Sequence, residues 1–155
     1  MTEVAFHFNV PDRVAYACRL LRKAVHSGAK LVVTGSPATL KQLNTDLWTL
    51  SPTEFVPHCK LDSEPRVVAA SPVILAASTQ PVMQRQVLLN LGNSVPDSFE
   101  RFERIIELVG LDPQERQLAR NRWKHYADAG YAITRYDVAS LENSKKQEFV
   151  EIMRH

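Results

Sequence analysis

A short basic segment, residues 113–126, combines cations with one large ring and could therefore bind an acidic ligand. At about 100° per residue of a helix, Arg116, Arg120, Trp123 and Lys124 fall within about 100° of one another. Four cations and one acid give the segment a local net charge of +3. Because Trp and Arg are enriched among the residues that dominate interface energies, this stripe predicts a docking site for an acidic peptide with an apolar anchor.

The opposite side of the same predicted helix is expected to face the core. Its apolar residues lead in from Leu111 and continue through Leu118, Ala119, Tyr126 and Ala129. Arg122 falls within this inward arc, and we expect its aliphatic stem to pack while its guanidinium finds a carboxylate. The charge pattern is equally typical of a solvated helix face that carries a half-buried Trp, so both interpretations remain open at this point.

A second candidate surface lies in residues 48–58, which contain two prolines and two large aromatic residues. Trp48 follows a predicted helix, and Phe55 lies in the proline-containing stretch behind it. In a loop the two rings would form an apolar patch for a partner protein. Alternatively, they cover the end of the sheet as part of the core.

Catalytic and metal-binding patterns are weak. Gly35-Ser36-Pro37 follows a strand and opens a helix, which is where α/β folds bind phosphate, but no Walker lysine and no G-x-G-x-x-G accompany it. It predicts a plain N-cap turn. The five histidines do not cluster, and Cys18 and Cys59 fit no metal spacing. We therefore predict no catalytic residue, no metal site and no cofactor.

Bulk composition sets the class of protein. The chain has 155 residues, of which 45% are hydrophobic and 23% charged, values typical of one soluble globular domain. A net charge of +2 is too mild to favour non-specific duplex binding. The N-terminus lacks a signal-peptide pattern, and no apolar run approaches the roughly 18 residues of a membrane span. With only two cysteines, a cytoplasmic protein without membrane contact is expected.

Alternating and helical apolar patterns predict the elements. Strands are expected at residues 4–10, 30–34, 66–69, 73–76, 87–91 and 104–109. Pro72 and Pro81 favour edge or loop positions for the three middle candidates. Helices are expected from Val14 to Val25 and from Leu40 to Leu47, each after an N-cap residue, Asp12 or Ser36. A single helical turn is expected at 97–99, and residues 131–135 are expected to add an extended edge.

Alternation of strands and helices predicts an α/β fold, a single three-layer Rossmann-like domain whose mostly parallel mixed central sheet is flanked by helices. The basic helix should open at Asp112-Pro113 and end at Ala129-Gly130. We assign the domain to residues 1–138. The polar remainder, residues 139–155, is expected to be a C-terminal extension, either a helix or a flexible tail.

Three segments together resemble one family. They are the string Trp48-Thr-Leu-Ser-Pro-Thr-Glu-Phe-Val-Pro-His58, the helix Gln117-Leu-Ala-Arg120 leading into Trp123-Lys124 and Ala129-Gly130-Tyr131, and the aromatic-rich opening strand. From about residue 4 to residue 134 the chain is similar to the chi subunit family of bacterial DNA polymerase III, an accessory part of the clamp-loader assembly. The first string is fairly specific, whereas the helix alone is not.

The resemblance implies a non-enzymatic α/β domain with two separate binding surfaces. One surface would bind the acidic C-terminal tail of the single-stranded-DNA-binding protein, whose last residue is apolar and carries a free carboxylate. By resemblance, this site comprises Arg116, Arg120, Trp123 and Lys124, with Val109 and Tyr131 near its walls. The other surface would bind the psi subunit of the clamp loader and, in some bacteria, a repair helicase. The residues assigned to it are Trp48, Pro52, Phe55 and Val56.

The expected function is therefore a non-catalytic replisome adaptor that links the single-stranded-DNA-binding protein to the clamp loader through psi. Two alternatives remain. A small nucleotide-binding α/β enzyme would hold phosphate at residues 35–37. A direct single-stranded-DNA binder would stack bases on Trp123, but one aromatic and a modest charge make a poor groove, so little direct nucleic-acid binding is expected.

Overall fold

A computed structural model describes residues 1–49, 56–79 and 86–139. Within these residues, seven strands, four α-helices and one 3-10 turn at Phe99–Arg101 follow one another. In chain order they are β1 (Glu3–Val10), α1 (Arg13–His26), β2 (Leu31–Thr34), α2 (Pro37–Thr49), β3 (His58–Lys60), α3 (Pro65–Ala70), β4 (Val73–Leu75), β5 (Val87–Asn90), β6 (Arg104–Gly110), α4 (Pro113–Asp128) and β7 (Ile133–Asp137).

The strands form one sheet in the order β3-β4-β2-β5-β6-β1-β7. All strand pairs within the described residues are parallel, so the predicted antiparallel component is not found there. Successive residues of one strand belong to two different apolar clusters, as Val32 and Val33 of β2 do, because successive side chains point to opposite faces of the sheet. Helices α1 and α2 pack in one cluster and α4 in the other. The three-layer α/β prediction is thereby confirmed.

Local signals set the helix ends as predicted. Asp12 accepts a hydrogen bond from the Ala15 backbone N–H at 3.1 Å, and Asp112 accepts one from the Glu115 backbone N–H at 3.1 Å. Each cap satisfies a backbone donor that has no partner inside its helix. Past the other end of α4, Gly130 adopts a φ of 87°, a left-handed conformation that glycine takes without steric cost.

One element was predicted wrongly. Residues 66–69 were expected to form a strand because of Val67 and Val68, but they lie in helix α3. Pro65 occupies the first helical position, where its missing N–H costs nothing. The connection between β3 and β4 must also cross over the sheet, because these neighbouring strands are parallel. Tertiary context therefore overrides the β propensity of the valine pair.

The predicted edge positions were wrong as well. Strand β4 pairs with β3 on one side and β2 on the other, and β5 lies between β2 and β6. Pro72 precedes β4, and its carbonyl accepts a hydrogen bond from the Leu31 backbone N–H at 2.7 Å. The proline therefore removes no ladder donor. Pro81 lies outside the described residues, as do residues 140–155 of the predicted extension.

The prediction of an extended edge is confirmed at the margin of the sheet that β7 forms. Strand β7 begins at Ile133, two residues later than expected, and pairs only with β1 among the described strands. At the opposite margin, the short strand β3 was not predicted. It starts at His58, the last residue of the stretch 48–58 that was interpreted as a loop or as a cover for the end of the sheet.

Candidate functional site

Helix α4 presents two chemically different sides. Ala119 and Tyr126 are buried against the sheet, as predicted. Arg120 and Lys124 are exposed, and Trp123 is half-buried between the two environments. Two residues expected to face inward do not. Leu111 is 52% exposed because it precedes the helix in the turn after β6, and Ala129 is exposed beyond the last helical turn.

A recess of about 530 Å³ opens between α4 and the neighbouring strands. Strands β1, β6 and β7 contribute to its lining together with the exposed flank of the helix. Its lining residues are Phe6, Phe8, Asn9, Val109, Arg116, Ala119, Arg120, Trp123 and Arg135. An apolar floor with several guanidinium groups in its lining suits a ligand that carries both a ring or alkyl chain and negative charge.

The ring of Trp123 belongs to the recess and also to the core. Its centroid lies 5.0 Å from that of Phe6, at an interplanar angle of 50°. The ring of Phe6 in turn meets Tyr126 edge-on at 6.0 Å. The indole is therefore half-buried: it packs against Phe6 and also belongs to the lining of the recess. Such anchoring fixes the ring without hiding it.

Three arginines lie in the lining with unused hydrogen-bonding capacity. Arg116 donates to the side-chain oxygen of Asn9, and Arg120 donates to Gln117 at 3.3 Å. Arg135 places its guanidinium carbon 4.8 Å from the ring centroid of Phe8 and 5.9 Å from that of Trp123. Among the residues that the structure describes, none of the three arginines forms an ion pair. An anionic ligand would find cations that no carboxylate of the described residues neutralises.

Asn9 holds one side of the recess in place through an unusual backbone. Its φ of 62° is left-handed, and the β1–β6 register shifts between His7 and Val10 at the same point. Asn tolerates this conformation better than most residues. The bulge directs the Asn9 side chain toward Arg116 and also toward Asp137, to which its Nδ2 donates at 3.0 Å. Bulges commonly re-aim side chains next to binding sites.

Four of the six residues predicted for this site line the recess: Val109, Arg116, Arg120 and Trp123. Lys124 is exposed on the same helix but outside the lining. Tyr131 packs edge-on against Phe99 at 5.1 Å, away from the recess. The residues that sequence reasoning missed come from the sheet: Phe6, Phe8, Asn9 and Arg135. The alternating aromatic residues of β1 were the available signal for two of them.

A buried polar cluster lies beneath α4. Glu107 of β6 accepts hydrogen bonds from Arg122 Nε at 3.0 Å, from Tyr126 Oη at 2.6 Å and from Asn90 Nδ2 at 3.0 and 3.1 Å. Arg122 is only 4% exposed, so the prediction that its guanidinium would find a carboxylate is confirmed. Burial raises the pKa of Glu107, while the Arg122 charge and the hydrogen bonds pull it back down. Deep charges of this kind require such pairing.

The second predicted surface is only partly described. Trp48 at the end of α2 is 63% exposed, and its ring lies 5.3 Å from that of His58. Val56 is 1% exposed and packs in the core, so its assignment to a surface patch is corrected. Val56 lies two residues before β3 begins at His58, and the approach of the chain to this strand brings the Val56 side chain into the core. Pro52 and Phe55 lie outside the described residues.

The turn considered for phosphate binding and the possible metal ligands can be located in the described part. Ser36 Oγ accepts a hydrogen bond from the Thr39 backbone N–H at 3.1 Å, so the 35–37 turn acts as a helix cap. A polar cleft of about 360 Å³ lies beside it at the carboxyl ends of β2 and β5. The described residues contain no cluster of His, Cys, Asp or Glu suited to a metal. They also contain no helix long and apolar enough to cross a membrane.

Fold and recess together define a parallel α/β domain with an aromatic, guanidinium-rich binding recess on one face of its sheet. Comparison with known families supplies the particular assignment. Residues 1–134 match the family described as DNA polymerase III chi subunit, HolC, and the chain belongs to this family. It is therefore a DNA polymerase III subunit, a component of the replisome. This confirms the resemblance drawn from the sequence.

Individual relatives support the assignment. The chain is 31% identical over 139 residues to DNA polymerase III subunit chi of Pseudomonas aeruginosa, covering 86% of this chain and 94% of that one. It is 29% identical to the subunit chi of Haemophilus influenzae, covering 79% and 85%. For Escherichia coli subunit chi the identity is 28%, with 75% and 79% covered.

A solved structure shares the fold alone. The C-terminal domain of the DEAD-box protein Dbp5 superposes with a TM-score of 0.57 at 12% identity, covering 99% of this chain and 97% of that one. At this identity the likeness concerns architecture, since one fold hosts many unrelated functions.

Proposed function

We propose that this chain is a non-catalytic adaptor that binds the acidic C-terminal tail of the single-stranded-DNA-binding protein in the α4 recess. The observation that carries the proposal is the set of three guanidinium groups, from Arg116, Arg120 and Arg135, around an aromatic floor with no carboxylate partner among the described residues. The predicted tail supplies the missing chemistry, namely carboxylates and one terminal apolar side chain.

Binding would proceed in two physical stages. Long-range attraction between the acidic tail and the surface cations, including exposed Lys124, accelerates encounter and weakens as salt screens the charges. The terminal apolar side chain then fills the recess against Phe6 and Trp123, where burial of apolar area supplies the short-range part of the affinity. A contact of this modest size is expected to have micromolar strength, about −8 kcal/mol.

A second surface would connect the chain to the clamp loader through psi, or to a repair helicase. Trp48 supports this assignment because an exposed indole at the end of a helix is typical of an interface anchor. It lies on α2, which packs in the other apolar cluster from α4. The two surfaces therefore belong to opposite faces of the sheet, which allows both partners to bind at once and tethers them to each other.

The direct test is a titration of the whole chain with an acidic peptide that ends in phenylalanine with a free carboxylate. Arg120→Ala is expected to weaken binding by about tenfold, or about 1.4 kcal/mol, because charge-assisted hydrogen bonds are the strong ones. Isothermal titration calorimetry measures both affinities. Unchanged affinity would remove α4 from the binding site.

The matched control is Arg66→Ala on α3. It removes the same charge from the opposite margin of the sheet, where Arg66 forms an exposed pair with Glu64. Its affinity for the peptide should equal that of the wild type. A loss as large as that of Arg120→Ala would mean that overall charge, rather than the recess, determines binding.

A further inference from the structure

Arg135 stands out because it reaches the recess from the sheet edge, whereas the other two arginines come from α4. Strand β7 pairs parallel with β1 in a register that sets Arg135 beside Phe6. Laterally paired residues of a parallel sheet project on the same face. Arg135 therefore emerges on the face covered by α4, next to the aromatic floor, and it is exposed on the strand that follows this helix in the chain.

The position of the guanidinium relative to the rings is specific. It lies 4.8 Å from the Phe8 centroid and 5.9 Å from the Trp123 centroid, both within the range of cation–π attraction. A guanidinium carries five N–H donors in its plane, and a ring contact through its face leaves them available for a carboxylate. No described residue supplies that carboxylate to Arg135.

Geometry separates the roles of the three arginines. Arg116 is held by Asn9, and Arg120 is held by Gln117 on its own helix. Arg135 alone among them lies within cation–π distance of two rings of the described recess. In a peptide, the last carboxylate is attached to the same residue as the last side chain. An apolar side chain placed on those rings therefore brings the terminal carboxylate close to Arg135.

We propose that Arg135 is a specificity-determining residue that binds the free terminal carboxylate of the peptide from the strand side of the recess. This rests on the proposed tail-binding function and deepens it. Acidic side chains further back in the peptide would be attracted by the α4 cations, whereas Arg135 would distinguish a true chain end from an internal acidic segment.

The test compares two fluorescent acidic peptides of one sequence ending in phenylalanine, one with a free carboxylate and one with a terminal amide. Anisotropy titrations are run on the wild type, Arg135→Gln, Arg135→Lys and Arg66→Gln. The wild type should prefer the free acid by about tenfold, and Arg135→Gln should abolish most of that preference with little effect on the amide. Arg66→Gln, which removes one exposed charge at the opposite margin of the sheet, should behave as the wild type.

Arg135→Lys separates charge from shape. An ammonium keeps the attraction but cannot stack and donate two parallel hydrogen bonds as a guanidinium does, so an intermediate preference, between twofold and fivefold as a rough expectation, is predicted. Because Arg135 is exposed, all variants should keep the wild-type melting temperature, which circular dichroism checks.

Other outcomes would overturn the assignment. Equal losses for the acid and the amide would show that Arg135 contributes only general charge. No loss for either would remove it from the site while leaving the tail-binding function intact. If the wild type binds neither peptide, the proposed function itself fails and the role of Arg135 fails with it.

Discussion

The arginines of helix α4 lie in two opposite environments. Arg122 is buried and bonded inside the protein, with Nε donating to Glu107 at 3.0 Å and Nη1 to the Asn93 carbonyl at 3.1 Å. Arg120, two residues earlier, is exposed, and Gln117 is its recorded hydrogen-bond partner. A buried charge must be compensated inside the protein, whereas a surface charge is left available for a ligand. The same residue type therefore serves structure on one side, and on the other it supplies the charge on which the proposed binding depends.

The two sides depend on each other. Arg122 and Tyr126 both donate to Glu107, which attaches two successive turns of α4 to strand β6. This attachment fixes the rotation of the helix about its axis. Because Trp123 follows Arg122 directly, the buried pair determines that the indole meets Phe6 and enters the recess. Loss of the buried pair should therefore act on stability first and, through the position of the helix, on the recess as well.

Breaking the buried side should have the largest effect. Arg122→Met keeps the aliphatic stem but leaves Glu107 without its cation, and removal of one partner of a buried pair costs about 3 kcal/mol. Urea unfolding followed by circular dichroism measures the change in the free energy of unfolding. A loss below about 1 kcal/mol would mean that Tyr126 and Asn90 satisfy the carboxylate without help.

The pH dependence of this variant follows from the causes of the Glu107 shift. Burial raises the pKa of Glu107, and Arg122 is the largest influence that lowers it. Without Arg122 the folded-state pKa rises further above the unfolded value, so the folded variant binds the proton more tightly. Its stability deficit should therefore shrink as pH falls from 8 to about 5 and grow as pH rises. A deficit that grows on acidification would contradict this account.

Removal of the ring should have the next largest effect, this time on binding. Trp123→Ala deletes the indole from the recess and is expected to cost about 2 kcal/mol of peptide affinity, roughly thirtyfold. Trp123→Phe keeps an aromatic surface against Phe6 and should cost less than half as much. Calorimetry on both variants tests the order. Equal losses for both would show that the indole edge, rather than its apolar area, is recognised.

The matched control is the other tryptophan. Trp48→Ala removes an exposed indole from α2 and should leave affinity for the acidic peptide unchanged. If it lowers that affinity, the two surfaces are not independent.

The fold was predictable because its signals are local. Apolar alternation, N-cap residues and the glycines that end helices lie within a few residues of the elements they define, and Asp12, Asp112 and Gly130 act as expected. The valine pair of α3 misled because a crossover requirement, set by the pairing of β3 with β4, outweighed local propensity.

The residues of the candidate site were predictable only where they lie close together in the sequence. Arg116, Arg120 and Trp123 share one helix, so spacing alone placed them together. Phe8 and Arg135 reach the recess through the pairing of β1 with β7, strands more than a hundred residues apart in the sequence. No periodicity within either strand shows that pairing. The order of the strands in the sheet therefore cannot be predicted from the pattern of a single segment.

The smallest expected effect concerns the ion pair between Glu115 and Arg13, which is less buried than Arg122 and less exposed than Arg120. Glu115 Oε1 is 2.8 Å from Arg13 Nη2, and the two side chains are 28% and 21% exposed. Glu115→Gln should therefore cost less than about 1 kcal/mol of stability, since pairs with solvent access contribute little. Arg13 keeps its hydrogen bond to the Leu91 carbonyl at 3.1 Å.

Peptide binding should respond to Glu115→Gln in the opposite direction to its stability. Loss of an acid from the first turn of α4 strengthens attraction for an acidic ligand, so affinity should rise by up to about twofold at about 0.1 M salt and return to the wild-type value near 1 M. Titrations at both salt concentrations measure this difference. A gain that survives high salt would indicate a new short-range contact, and a decrease would mean that the Glu115–Arg13 pair holds the recess open. Because Glu115 is only partly buried and is paired with Arg13, the Glu115→Gln variant shows whether a charge close to the surface still needs a partner inside the protein.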